Sequence, residues 1–163
     1  MLHIKKILLP TDGSEYAFEA LRYTSSFAKE YNIIVYLLTV VEVNRSIYDV
    51  YADEINFDLQ ESKIISIVNK RLDATEKKAR EMGIQNITKI SRLGHPYEEI
   101  INVSKENAID LIVMATHGRS GLSHFLIGSI TEKVIRMAPC PVLVVRPKIH
   151  GLIENNNNEK KKG

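Results

Sequence analysis

A chain of 163 residues, 44% hydrophobic and 26% charged, is long enough for one domain with a hydrophobic core and short for two. Its formal charge of +2 comes from the end: residues 148–163 hold four lysines and two acidic residues, leaving 18 basic and 18 acidic groups before them, a balance that excludes the basic footprint of a nucleic-acid binder. One cysteine, Cys140, excludes an internal disulfide and a multi-cysteine zinc site, and the longest apolar run, Ile33–Val41, falls far short of the roughly 18–20 residues a membrane helix needs.

The opening MLHIKKILLP has too short an apolar run for a signal peptide and leads into a turn, so a soluble, cytoplasmic protein is expected. Ile4–Leu9 is the first strand candidate. A helix follows from Ser14 to about Tyr31, with Ser14 as N-cap and Ala17, Leu21 and Ala28 on one side. Ile33–Val41 is the second strand, and Val43–Phe57, which has no clear period, reads as an irregular insertion or short helix. From about Leu59 to Met82 a stripe of Ile64, Ile65, Val68, Leu72 and Ala79 marks a long helix, stopped by Gly83. Ile87–Leu93 is the third strand, and Gly94-His95-Pro96 leads into a short amphipathic helix over Tyr97–Asn107. Leu111–Ala115 and Val142–Val145 are the fourth and fifth strands; between them a helix runs from Ser129 to Met137 and ends at Pro139. Cys140, between two prolines, reads as packed rather than reactive. Residues 148–163 read as a disordered, solubilising tail behind a domain spanning 1–147.

Strands and helices in alternation mean βαβ units with right-handed crossovers, hence a single-domain, doubly wound, three-layer α/β fold. The second, fourth and fifth runs are apolar on both faces, which points to central strands of a parallel sheet. In such a sheet ligands bind beyond the carboxyl ends of the strands, where the order reverses. With order 3-2-1-4-5 the first and fourth strands meet there, setting Pro10-Thr11-Asp12 across a crevice from the loop between Ala115 and Gly128.

That loop carries Gly118 and Gly121, then Gly128-Ser129 where a helix begins. Glycine lets backbone approach a ligand closely, and the N–H groups of a helix start attract an anion. A nucleotide suits this arrangement: phosphates along the loop and on the amides of Gly128, Ser129 and Ile130, Asp12 on ribose hydroxyls or beside a phosphate-bound cation, and the backbone near Val40 at the adenine edge. Arg119 and His124 add positive charge. His117 has no second histidine, cysteine or carboxylate at a triad or metal-ligand spacing, so no catalytic residue and no protein metal site is assigned. Neither GxxxxGK[ST] nor GxGxxG after the first strand is present. Each residue has a structural reading too: Ser129-Ile130-Thr131-Glu132 spells a capping box, and Asp12 organises a tight turn.

Four segments, KKILLPTDGSE, RLGHPYEEI, DLIVMATHGRSG and FLIGS with APCPVLVVRP, together resemble the universal stress protein family over residues 3–147. The resemblance implies a five-stranded parallel sheet like that of the adenine nucleotide α-hydrolases, and homodimers pairing through the last strand, here Val142–Val145. It also implies a division into ATP-binding and non-binding branches. The binding branch has glycine, two residues, glycine, nine residues, then glycine followed by Ser or Thr. Gly118 and Gly128-Ser129 keep that spacing, whereas Ala115 stands at the first glycine; its methyl crowds a ligand if close approach is needed and is tolerated if the position merely ends a strand.

The expected function is thus a dimeric stress-response sensor or regulator that binds ATP (or ADP or AMP) with Mg²⁺ and acts on an unidentified protein partner. Its site comprises Pro10, Thr11, Asp12, Val40, Ala115, His117, Gly118, Arg119, Gly121, Gly128, Ser129 and Ile130. Two other classes stand beside it. One is a dimeric interaction module without nucleotide, favoured by Ala115. The other is a slow ATP hydrolase, against which counts the lack of a base or nucleophile in the cleft.

Overall fold

Aliphatic runs in the chain become five parallel strands: β1 (Lys6–Pro10), β2 (Ile34–Val41), β3 (Ile87–Leu93), β4 (Leu111–Ala115) and β5 (Val142–Val145). They form one sheet in the order β3-β2-β1-β4-β5. Helices α1 (Glu15–Glu30), α2 (Phe57–Glu81), α3 (Pro96–Glu106) and α4 (Ser129–Met137) connect them. The computed structural model describes residues 3–30, 32–42, 57–116 and 127–146, without the side chains of 29–30 and 57–65. The insertion expected over 43–56, the glycine-rich residues 117–126 and the tail after 146 lie outside the described residues, as do the side chains of Ile64 and Ile65. Among the described residues no helix is long and apolar enough to cross a membrane.

Alternation along the strands divides the core into two layers. Ile7, Leu9, Val35, Leu37 and Val113 face α1 and α2, packing with Ala20, Leu21, Leu72 and Ala79. Leu8, Leu38, Ile112 and Met114 face α3 and α4, packing with Ile100, Ile101, Val103 and Val134. Both faces of the sheet are therefore covered, as a doubly wound fold requires.

The order is the expected 3-2-1-4-5, and it corrects the reading of the fifth run as a central strand. β5 is an edge strand, not a central one, and only its last residue, Val145, is buried. β1, which opens on Lys6 directly after Lys5, is the middle strand. Those lysines stand at the amino end of the sheet, where the Asp110 carboxylate accepts from the Lys5 and Lys6 amides at 2.8 and 2.9 Å and Lys6 Nζ donates to the Asn107 carbonyl at 2.8 Å. An apolar run thus reports cover on both faces of a strand; lateral position is set by which neighbours the crossovers bring.

Element ends differ slightly from expectation. The β1 ladder starts at Lys6 rather than Ile4, and Phe57, expected in the insertion, opens α2. Pro96 occupies the first turn of α3, where its missing N–H is no loss. At α4 the capping box does not form: Gly128 is the N-cap in extended conformation, its carbonyl accepts from the Glu132 amide, and Ser129 is already the first helical residue. A serine inside the helix cannot cap it, so that reading of Ser129 is withdrawn.

Two helices end in the same Schellman pattern. After α2, Gly83 takes φ +93° while its amide donates to Arg80 and that of Ile84 to Ala79. After α3, the amides of Ala108 and Ile109 donate to Lys105 and Ser104, but the left-handed residue is Ala108, at φ +49°. Ala108→Gly is expected to raise stability by about 0.5–1 kcal/mol in urea denaturation, because relief of the left-handed penalty exceeds the entropy glycine adds to the unfolded chain. No gain would mean that the alanine is held there without strain.

Candidate functional site

At the carboxyl edge of the sheet β1 and β4 are neighbours, while the chain leaves β1 toward α1 on one face and β4 toward α4 on the other. A crevice of about 160 Å³ opens at this reversal. Its apolar side is Leu38 and Val40 from β2, Pro96 and Ile100 from α3, and Met114 from β4. Its polar side is the turn Pro10-Thr11-Asp12 and the start of α4 at Ile130 and Thr131, with Ala17 and Ala115 completing the wall.

The turn after β1 is held from several directions. The Thr11 amide donates to the Leu38 carbonyl at 2.8 Å, and the Thr39 hydroxyl donates to the Thr11 carbonyl at 3.0 Å. The Thr11 hydroxyl accepts from the Gly13 amide at 3.2 Å, and Asp12 Oδ1 accepts from the Ser14 amide at 2.9 Å, an Asx turn. Gly13 sits at φ +74°, a conformation L side chains rarely adopt. Ser14 caps α1 as expected, its hydroxyl accepting from the Ala17 amide at 3.3 Å. Asp12 therefore does organise a turn.

The other wall is set by α4. Gly128 N–H donates to the Thr116 carbonyl at 2.8 Å, so this amide, expected to meet a phosphate, is already committed to protein. Ser129, Ile130 and Thr131, the first three helical residues, have amides with no acceptor inside their own helix. Ala115, which stands where the motif has glycine, is the last residue of β4, paired with Val145, and its backbone is extended. Alanine costs nothing in φ there; its methyl is simply part of the crevice wall.

Of the twelve residues expected at the site, Pro10, Thr11, Asp12, Val40, Ala115 and Ile130 line this crevice, and Gly128 and Ser129 adjoin it at the helix start. His117, Gly118, Arg119 and Gly121 lie outside the described residues. Ala17, Leu38, Pro96, Ile100, Met114 and Thr131 were not foreseen. Leu38 was legible, being two residues before Val40 on the same strand face. Thr131 carried no signal beyond its place in the capping pattern.

Other groups stand apart. His95 occupies the N-cap position of α3 without a side-chain capping bond, and its Nδ1 lies 3.7 Å from Glu42 Oε1, both side chains well exposed. Cys140 precedes β5, at the end of the sheet opposite the crevice; burial pushes its thiol above the ordinary value, with Asp110 adding to the rise and a backbone hydrogen bond at Ile112 opposing it. A thiol so shifted is a poor nucleophile at neutral pH. Among the described residues no group of three or more His, Cys, Asp or Glu is gathered to hold a metal.

The profile of the universal stress protein family matches residues 3–146. The chain belongs to the universal stress protein family. Among relatives of this universal stress protein, MJ0531 of Methanocaldococcus jannaschii is 37% identical over 142 residues, covering 87% of this chain and 82% of its own. The solved structure of MJ0577 from the same organism superposes with a TM-score of 0.76 at 34% identity, covering 88% of this chain and 96% of that one. A universal stress protein solved in complex with cAMP superposes with a TM-score of 0.62 over 88% of this chain and 97% of its own; at 21% identity that likeness speaks for the fold.

Proposed function

We propose that the crevice binds an adenine nucleotide, ATP or a shorter relative, and that this universal stress protein works as a nucleotide-occupied sensor or regulator in a stress response. One observation carries the reading: a single crevice joins an apolar slot at the end of β2 to a helix start beside the end of β4, with Asp12 between them. A base, a ribose and a phosphate want those three surroundings in that order. The base lies against Val40 and Ile100, the ribose hydroxyls donate to Asp12, and the phosphates reach the amides of Ser129 and Ile130. Mg²⁺ is carried chiefly by the phosphates, with Asp12 the carboxylate at hand. The extended backbone at Ala115 supports the reading, because the missing glycine is not needed for conformation.

Two chains pair through the exposed edge of β5, which protects an apolar strand edge, and the protein acts in the cytoplasm on a protein partner. Residues 1–147 are its folded domain and 148–163 a polar tail. Ala115, whose methyl lines the wall, is the observation behind the second reading, a dimeric interaction module with no ligand.

The test is to denature freshly purified protein, chromatograph any released nucleotide, and titrate the stripped protein with Mg·ATP by calorimetry. Stoichiometric adenine nucleotide, or micromolar binding, is the expected result. No nucleotide and no heat would leave the interaction module as the better account.

A further inference from the structure

We propose that Thr131 is the positioning residue for the phosphate end of this crevice, an inference that rests on the nucleotide reading above. Thr131 is 3% exposed and lines the crevice, yet its hydroxyl is turned into the protein. The hydroxyl donates to the Ala115 carbonyl at 3.1 Å, with the Thr116 carbonyl 3.5 Å away. The Gly128 amide donates to that same Thr116 carbonyl at 2.8 Å. Two donors from the start of α4 are thus spent on two consecutive carbonyls at the end of β4.

This arrangement does two things for an anion. It fixes the start of α4 against the end of β4 across a separation of 16 residues, so the amides of Ser129, Ile130 and Thr131 hold one position relative to the Asp12 turn. It also occupies carbonyl lone pairs that would otherwise set partial negative charge beside the phosphates. A helix start attracts an anion, and an uncovered carbonyl dipole beside it weakens that attraction. Because the Thr131 proton is committed to a carbonyl, the residue acts through the helix and the strand end, not by donating to the ligand.

Valine has the shape of threonine without the donor, so Thr131→Val removes the bond and little else. The uncovered carbonyl repels in proportion to ligand charge. The full-length variant is expected to lose affinity for Mg·ATP by about tenfold, the equivalent of one net hydrogen bond. Its affinity for adenosine should stay within about twofold, with AMP between, and Thr131→Ser should restore ATP binding. Calorimetry of the three ligands on wild type and both variants reads this directly. Equal losses for adenosine and ATP would mark Thr131 as a residue of the fold alone, and undiminished ATP binding would show that the bond is dispensable; either result overturns the inference. A wild-type protein that binds neither adenosine nor ATP would instead overturn the nucleotide reading, and this inference with it.

Discussion

Ile130→Asp is expected to remove most of the ATP affinity while leaving the fold about as stable as before. Ile130 is the second residue of α4, lines the crevice, and is 40% exposed. A carboxylate there faces the phosphates that the helix start is proposed to hold. Two unit charges about 4 Å apart interact by about 4 kcal/mol at the effective dielectric near a protein surface, and solvent and Mg²⁺ reduce that. An affinity loss of about 2 kcal/mol, roughly thirtyfold, is the expected outcome. Stability stays level, because an acidic side chain in the first turn gains about 0.3–1 kcal/mol from the helix dipole, offsetting the lost isoleucine packing. Ile130→Asn keeps the shape of the aspartate without its charge. The difference between the two variants in Mg·ATP titrations isolates electrostatics from the change of wall. If both bind ATP like wild type, the phosphates do not lie at α4.

Leu8→Ala is expected to cost about 3–4 kcal/mol, the middle of the range for a buried leucine. Leu8 is fully buried on the central strand, in register with Tyr36 of β2 and Ile112 of β4. Strands on both sides fix its backbone, and Ile100, Met114 and Val134 close over it. Ile67, 55% exposed on α2, is the control, and Ile67→Ala should cost less than about 0.5 kcal/mol. Urea denaturation at two protein concentrations separates this loss from any contribution of dimerisation. The same substitution bears on the site, since Leu38, Ile100 and Met114 belong both to the Leu8 cluster and to the crevice wall. A loss below about 1 kcal/mol would mean that the layer repacks, and that the crevice floor is softer than its burial implies.

Much of the architecture was legible because its signals are local. β-branched runs bounded by Pro, Gly and Asp became strands, and Gly83 stopped α2 by the positive φ that only its position in a Schellman turn demands. Ser14 capped α1 because a hydroxyl three residues before a free amide has one favourable thing to do. The same logic misled at Ser129, where a capping pattern was present but Gly128 took the cap. It misled again at β5, whose apolar residues were read as central although the strand lies at the edge.

Propensity, period and turn chemistry act over a few residues, so the succession of strands and helices, the Asp12 turn and the glycine spacing before α4 could all be taken from the order of amino acids. Which groups meet across the sheet depends on register between segments far apart in the chain. The Thr131 hydroxyl reaches Ala115, and the Gly128 amide is spent on Thr116, only because β4 and α4 are brought together at that offset. A hydrogen bond depends on tenths of an ångström, and that precision exists only once the core beneath it has packed.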